Sequence, residues 1–454
     1  MKKKNLIFII LYFVILAVPA VGMPFFLNAK NTENRKLSEF PKIIVDGKPN
    51  LDFVEGLDDF VNDRIGFRQY LVMMNTALKT GVFRQSTEDS IILGKDNWLF
   101  YSDTVDDYMG IQTLSDKNIQ NIVNTYEMVN ERLKDYGKTM VFTVIPNKNS
   151  VYPEYMADTY IYKDGGNLSA LSDKMADADI LFANVKDELL KNDAVLYQAQ
   201  DSHWTYEGAL IGYKTIMDAS GFSYNRFDGV EFEERKDWDA DLGVMLYSVN
   251  AETDVQKYPK YDFSFEYTSH EKEPDAIKLS TYNEFGTGNA VIYRDSFMNA
   301  GHVYFAENFE NCLFSRAFPY KVDMAIDEEA DLVVFEIVER NIKNLAASAP
   351  LMEAGLAEEE DIENAEKLGK DAFNVYLSES GDYTHVFGTI SKECLGMDNE
   401  IFIRIDNDYY KAFPIFEREL LGCDETDDNG FSMYVPANDK IKTSDIELYV
   451  RRLE

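Results

Sequence analysis

Met140-Val141-Phe142-Thr143-Val144-Ile145 is an unbroken apolar run, the pattern of a β-strand buried on both faces. Working back from it, Ser115 is placed to cap a helix with a buried face of Ile119, Ile122, Val123, Tyr126, Val129, Leu133 and Tyr136, and Gly137 is placed to end it. Working forward, helical spacing over Phe182–Lys191 leads to a second run at Ala194–Tyr197. Further runs stand at Ala290–Tyr293 and Leu332–Val338. Helices alternating with buried strands predict an α/β fold of three layers, α/β/α, around a mainly parallel sheet.

Outside this frame the pattern changes. Residues 223–286 are polar and aromatic without clear periodicity and read as an insertion over the sheet. Before the frame, Phe53–Lys79 has helical spacing. Ser90–Tyr101 reads as a hairpin with Gly94-Lys95-Asp96-Asn97 at its turn. Residues 351–382 read as an acidic linker, helical from Met352 to Lys370. Residues 383–454 carry alternating runs such as Ile401–Ile405, Phe431–Val435 and Ile446–Val450, which predict a small β-sandwich. The expected organisation is therefore an anchor at 1–29, an α/β domain at 30–350, the linker, and an accessory module.

The anchor is read from Lys2-Lys3-Lys4 followed by an uncharged stretch from Asn5 to Asn28. Leu6–Leu27 is long enough to cross a bilayer once as a helix, and the lysines would stay inside. A cleaved signal peptide is the rival, since Val18-Pro19-Ala20 suits signal peptidase. The apolar stretch runs on through Met23-Pro24-Phe25-Phe26-Leu27, which favours a retained single-pass anchor in the cell membrane, with the rest of the chain outside the cytoplasm.

The chain holds 80 Asp+Glu against 45 Lys+Arg, a formal charge of −35. Such a surface repels phosphate, which argues against nucleic acid as a partner. The three cysteines, Cys312, Cys394 and Cys423, are too few for a disulfide framework, although Cys394 and Cys423 lie in one region and are candidates to pair. Four histidines, with no His/Cys cluster, give no metal-ligand spacing and imply no cofactor.

Two fragments carry chemistry because each follows a predicted buried strand. Gln200-Asp201-Ser202-His203-Trp204-Thr205 follows Ala194–Tyr197, and Thr205 is placed to cap the next helix. Arg294-Asp295-Ser296-Phe297 follows Ala290–Tyr293. Ligands of open α/β sheets bind beyond the carboxyl ends of the strands, so one crevice can hold both fragments. A serine hydroxyl needs an imidazole to take its proton, and the imidazole needs a carboxylate to hold its tautomer. Ser296, His203 and Asp201 supply that set. A buried core histidine and a helix-capping Asp295 are the bland alternatives. Asn147 and Lys148 are candidates for oxyanion or substrate contact, or for a turn cap. Arg340 is a candidate for substrate, or for an ion pair with Glu336 or Glu339. Tyr101, Trp204 and Trp238 are candidates to stack on sugar, or core aromatics.

Asp201-Ser202-His203-Trp204-Thr205, Gly208-Ala209 and Asp295-Ser296-Phe297 together resemble the alginate O-acetyltransferase group (AlgX/AlgJ-like) and its relatives named for a DHHW motif. The resemblance extends to Asn34-Arg35-x-Leu37-x-x-Phe40-Pro41, Asn62-Asp63-Arg64, Gly94-x-x-x-Trp98-Leu99-Phe100, Pro146-Asn147-Lys148, Tyr152-Pro153-Glu154 and Glu336-x-x-Glu339-Arg340. It implies an SGNH-hydrolase-like domain with an acetyl-enzyme on Ser296, an exopolysaccharide or cell-wall glycan as substrate, and a membrane-bound O-acyltransferase as acetyl donor. An acetyl esterase with the same three residues, or a surface carbohydrate-binding protein without turnover, are the other readings. Ser202 stands where the motif has a second histidine. Arg294 stands where Gly-Asp-Ser-Phe is usual, placed either to narrow the oxyanion pocket, to meet an acidic sugar, or to lie on the surface.

Overall fold

The computed structural model describes residues 3–26, 38–45, 47–248, 251–422, 427–437 and 440–453. The Asn34–Leu37 part of the resemblance and the Cys423 half of the suggested pairing lie outside these residues. Cys312 and Cys394 are free thiols. The chain divides into two compact units. The first comprises Met1–Ser102, Ala199–Asp201 and Lys236–Asp254. The second comprises Asp103–Gln198, Ser202–Arg235 and Val255–Glu454.

In the first unit, α1 (Lys3–Phe26) is apolar along its length. Its Asn5–Met23 stretch has a mean hydropathy of 2.8, long and apolar enough to cross a membrane. Helices α2 (Phe53–Arg64) and α3 (Arg68–Leu78) follow. The expected hairpin pairs Ile91–Leu93 with Leu99–Tyr101, in the register Ile92↔Phe100. Asp96 and Asn97 take positive φ at its turn, which short polar side chains tolerate best. Ile91 and Leu99 form a small core with Leu242 and Leu246 of the helix Asp241–Tyr247.

The second unit holds a seven-stranded mixed sheet. In chain order its strands are β1 (Thr139–Ile145), β2 (Leu181–Ala183), β3 (Glu266–Tyr267), β4 (Lys278–Tyr282), β5 (Asn289–Tyr293), β6 (Asn311–Ser315) and β7 (Leu332–Val338). Their order across the sheet is β2-β1-β7-β5-β6-β4-β3. The pairings from β2 to β6 are parallel, and β4 and β3 are added antiparallel. Helix α4 (Asp116–Asp135) begins at Ser115, whose hydroxyl accepts the Asn118 N–H at 3.0 Å, and gives way to Gly137 at φ 68°. Its Ile119, Ile122, Tyr126, Val129 and Leu133 form one cluster with Met140, Phe142 and Val144 of β1 and with Val333, Phe335 and Ile337 of β7. The alternate residues, Val141, Ile145, Val334 and Val338, are equally buried and face the other way, as side chains along a strand must. Helix α5 (Tyr206–Ser220) packs on β1 and on α6 (Met298–Asn308). The central strands are thus buried on both faces, which is why they read as unbroken apolar runs.

Two expected elements differ. Ala194–Tyr197 is not a sheet strand. Its backbone is taken up locally, with Thr205 N–H bonded to Leu196 O at 2.7 Å and Gln198 N–H to His203 O at 3.2 Å, and Tyr197 bridges Trp204. Leu196 and Tyr197 are buried in this loop, whereas Val195 is exposed. The strand beside β1 is instead Leu181–Ala183, followed by a helix Val185–Leu190 capped by Asn184. Being an edge strand and partly exposed, it has only the short run Leu181-Phe182-Ala183, which merges with the helical spacing read from Phe182. Likewise β4 lies inside the stretch read as an insertion. Only Leu279 and Thr281 of its five residues are buried, as in a strand covered on one face.

Beyond the sheet, the expected acidic helix is reduced to Glu359–Glu363. The C-terminal strands form a four-stranded antiparallel sheet and a three-stranded one. Phe373, Val386, Ile390, Ile401, Ile403, Phe431, Met433, Leu448 and Val450 of the two join in one apolar cluster. Pairing starts at Phe373 with Ile390, earlier than the Tyr383 start read from the sequence, because Phe373–Ser380 is half-exposed and shows little contrast between its faces.

Two glycines of α5 give way to Trp204. A Cβ on Gly212 would lie 2.6 Å from the Trp204 ring, and one on Gly208 would lie 2.6 Å from Leu196 O. Gly212→Ala gains about 1 kcal/mol of helix propensity, but overpacking of this kind costs about 1–3 kcal/mol. The expected outcome is a lower Tm in a thermal melt. A Tm at or above that of the parent would show that the indole does not depend on this gap.

Candidate active site

The carboxyl ends of β1, β7 and β5 lie side by side, and each bears residues singled out in the sequence. Beyond β5 the chain turns through Arg294-Asp295-Ser296-Phe297 into α6. Three hydrogen bonds fix this turn through Asp295. Its Oδ1 accepts the Phe297 N–H at 2.9 Å, its Oδ2 accepts the Val338 N–H at 2.7 Å, and its own N–H donates to Glu336 Oε2 at 2.9 Å. The aspartate therefore does more than cap a helix: it bolts the turn to the end of β7.

His203 reaches this turn from the Leu196–Thr205 loop. Its Nε2 lies 2.8 Å from Ser296 Oγ, inside hydrogen-bond range for proton transfer. Nδ1 lies 3.3 Å from Ser202 Oγ. One residue further along both segments, the Trp204 indole N–H donates to Phe297 O at 2.7 Å. Successive residues of the loop thus hold successive residues of the turn. Trp204 is 1% exposed, so it braces the histidine and offers no face to sugar. Thr205 closes the loop as the N-cap of α5, accepting the Gly208 N–H at 3.2 Å.

Asp201 belongs to the first unit. It is buried there, and its Oδ2 accepts the Trp238 indole N–H and the Asp241 N–H, both at 2.9 Å. Trp238, a candidate for stacking on sugar, is thus a hydrogen-bond donor to a carboxylate. Tyr101, also of this unit, packs against the Ile91/Leu99/Leu242/Leu246 core.

Four other candidates sit in the second unit. Asn147 is fully buried, with its N–H donated to Glu339 Oε2 at 2.7 Å. Neither polar atom of its side-chain amide makes a close hydrogen bond among the described residues, although burial raises the Asp107 pKa and the amide is near enough to that carboxyl to pull it back down in part. Lys148 is also buried, with Nζ 3.1 Å from Gln198 O. It ties the segment after β1 to the loop that carries His203. Arg340 places its guanidinium 5.4 Å from the centre of the Phe297 ring, beside the serine turn.

Arg294 corrects its sequence reading. It is 2% exposed, and its guanidinium donates to Asn299 Oδ1, Asp295 O, Pro274 O and Ala276 O. Burial pulls its pKa down to about 10. The charge is spent on stapling β5, α6 and the 274–276 segment together, and neither a surface role nor contact with an acidic sugar fits that position.

The sequence reading missed the role of two carboxyls, Glu336 and Glu339, which it took only as ion-pair partners for Arg340. Both are buried and accept backbone N–H groups of the turns beyond β5 and β1. Burial, with Asp295 close by, pushes the Glu336 pKa well above the ordinary range. Glu339 is raised by burial to about 7.

Residues 91–284 match the family model described as SGNH hydrolase-like domain, acetyltransferase AlgX. The resemblance to the AlgX/AlgJ group holds. The matched stretch includes Asp201 and His203 and ends before Ser296. The protein named "Probable alginate O-acetylase AlgJ" of Pseudomonas fluorescens is 26% identical over 132 residues, 28% of this chain and 32% of that protein. The chain therefore matches about a third of the length of this curated relative. Among solved structures, Bacillus cereus PatB1 aligns at a TM-score of 0.48 and 18% identity, covering 59% of this chain and 100% of that one. The O-acetyltransferase domain of Pseudomonas putida AlgJ aligns at 0.38 and 16%, covering 56% and 91%.

Glu339 yields a test of the site's electrostatics. Its folded-state pKa of about 7 lies above the ordinary 4.5, so the fold favours the protonated form. That contribution is whole below about pH 4.5 and is lost as pH rises to about 7, a change on the order of 3 kcal/mol. Glu339→Gln keeps an acceptor for the Asn147 N–H and removes the titration. Its Tm should rise relative to the parent between about pH 5 and pH 8. A difference that stays constant across this range would show that Glu339 does not titrate there.

Proposed function

We propose that this chain is an extracytoplasmic O-acetyltransferase that moves an acetyl group, through an acyl-serine on Ser296, onto hydroxyls of an exopolysaccharide or cell-wall glycan. The observation that carries the proposal is the 2.8 Å contact of His203 Nε2 with Ser296 Oγ on a turn beyond the carboxyl end of a parallel strand. The match to an acetyltransferase family model and the relative's name, an alginate O-acetylase, support polysaccharide as the acceptor.

In this reading Ser296 Oγ attacks the carbonyl carbon of the acetyl donor while its proton passes to His203 Nε2. The tetrahedral intermediate collapses, and the donor's leaving group departs with that proton. A sugar hydroxyl then attacks the acetyl-serine. His203 takes the hydroxyl proton and returns it to Ser296 Oγ as the new ester leaves. Asp201, two residues before His203 in the chain, is the carboxylate proposed to hold the imidazole's tautomer. The Asn147 amide is the proposed oxyanion donor, and Arg340, beside Phe297, the proposed contact to substrate. With α1 spanning the membrane and its lysines inside, the site faces outward, where a membrane-bound O-acyltransferase would supply acetyl groups. The two C-terminal sheets are proposed to form a β-sandwich that holds polymer.

Ser296→Ala and His203→Ala should each lower turnover of an activated acetyl ester by at least about 10³-fold while the melt stays cooperative. The double variant should be little worse than either, since the pair acts as one unit. Asp201→Asn should be an equal or milder lesion. Full activity in Ser296→Ala would overturn the acyl-serine.

A further inference from the structure

Helix α3 and the π-helical turn after it, Lys79–Phe83, are built inside out for a water-soluble surface. A surface helix turns its apolar stripe to the core and its polar face to water. Here the buried positions are threonines, Thr76 at 4% and Thr80 at 9% exposure. Thr80 Oγ1 bonds back to Thr76 O, and Thr76 Oγ1 pairs with Thr87 Oγ1. The positions spaced as one helical face, Phe67, Tyr70, Leu71, Met74, Leu78 and Val82, are exposed, with Met74 at 69% and Val82 at 67%. Exposed apolar surface of this extent marks an interaction site.

Charge sets the same segment apart. The chain has nearly twice as many acidic as basic residues, yet Arg64 to Thr87 contains no Asp or Glu and carries Arg64, Arg68, Lys79 and Arg84. Position then points to the partner. The Gly66 N–H donates to Pro19 O of α1 at 3.0 Å. A Cβ on Gly66 would lie 2.6 Å from that oxygen, and one on Gly22 would lie 2.9 Å from the Phe67 ring. The backbone that starts α3 is therefore pressed against α1 near the end of its apolar stretch away from Lys3 and Lys4. Pro19 is about four residues, or about 6 Å of helix rise, short of the end of that stretch at Met23.

We infer that Phe67–Phe83 is an interfacial helix that lies on the outer leaflet of the membrane, its apolar face among the acyl chains and its cations among anionic lipid head groups. The inference rests on the reading of Asn5–Met23 as a membrane span. Interfacial helices bury their apolar face about 5–10 Å into the head-group boundary, the depth at which the contact with α1 holds this one. Arg68, Lys79 and Arg84 can extend from the rim of the stripe to the head groups while their stems stay in apolar surroundings. The helix would fix the first unit against the bilayer and limit how far it swings about its anchor.

The test uses the full-length protein in phosphatidylcholine vesicles containing phosphatidylglycerol, with lipids brominated near the head group as short-range quenchers. Met74→Trp adds a fluorophore to the stripe, and Tyr376→Trp adds one at an exposed site of the C-terminal sheets. After subtraction of the parent emission, quenching of the Met74→Trp fluorescence should exceed that of Tyr376→Trp by about twofold or more. It should fall towards the control when Arg68, Lys79 and Arg84 are all changed to Glu. Equal quenching in the two variants, with the protein still floating with the vesicles after an alkaline carbonate wash, would overturn the inference and assign the stripe to a protein partner. Protein that does not float with the vesicles at all would instead refute the membrane span, and the inference with it.

Discussion

The indole N–H of Trp204 donates to the carbonyl of Phe297, and the arrangement around His203 and Ser296 hangs on that bond. A catalytic serine on a strand-to-helix turn is of use only if its base is held within hydrogen-bond reach, and a loop alone holds a histidine poorly. Here the residue after the histidine is tied to the residue after the serine. The indole is locked in turn by Gly208 and Gly212, which let α5 close over it. Thr205 starts that helix one residue after the tryptophan. Helix start, tryptophan and histidine are consecutive, so the packing of one helix sets the placement of one imidazole.

Beneath the serine turn the sheet carries an unusual load of buried acid. Asp295, Glu336 and Glu339 all use side-chain oxygens to receive backbone N–H groups at the carboxyl ends of β5, β7 and β1. Burial raises the pKa of both Glu336 and Glu339, and the neighbouring Asp295 adds to the rise at Glu336. Such groups are a poor source of stability. Their use lies in rigidity, because each fixes the exit of a strand at the edge of the site.

Much of this was legible in the sequence because full burial on both faces leaves a plain record. β1, β5 and β7 were readable as runs, and Ser115, Thr205 and Gly137 marked helix ends through their capping chemistry. His203 and Ser296 were readable because the chemistry of a serine nucleophile demands that pairing. What failed did so where burial and secondary structure part company. Leu196 and Tyr197 are as buried as any strand, but their partners are their own loop. β2 is a short strand at the sheet edge and β4 is buried on one face only, so neither shows the long run of the central strands. Arg294 was misjudged because a cation in a sequence looks like surface, and only the fold shows the carbonyls that accept its protons. Glu336 sits within an apolar strand, and nothing local announces that its carboxyl accepts the Asp295 N–H.

The proposed function makes one central claim, a chemical one: that Ser296 carries the acetyl group between donor and acceptor. Rapid acid quenching of the full-length protein with an activated acetyl ester, followed by mass spectrometry of the peptide containing Ser296, tests it directly. The account predicts the mass of one added acetyl group on Ser296 in the parent, little of it in His203→Ala, and its loss when a glycan acceptor is added before the quench. Turnover of the ester with no acetyl on Ser296 at any quench time, or acetyl on another residue that the acceptor removes, would contradict it.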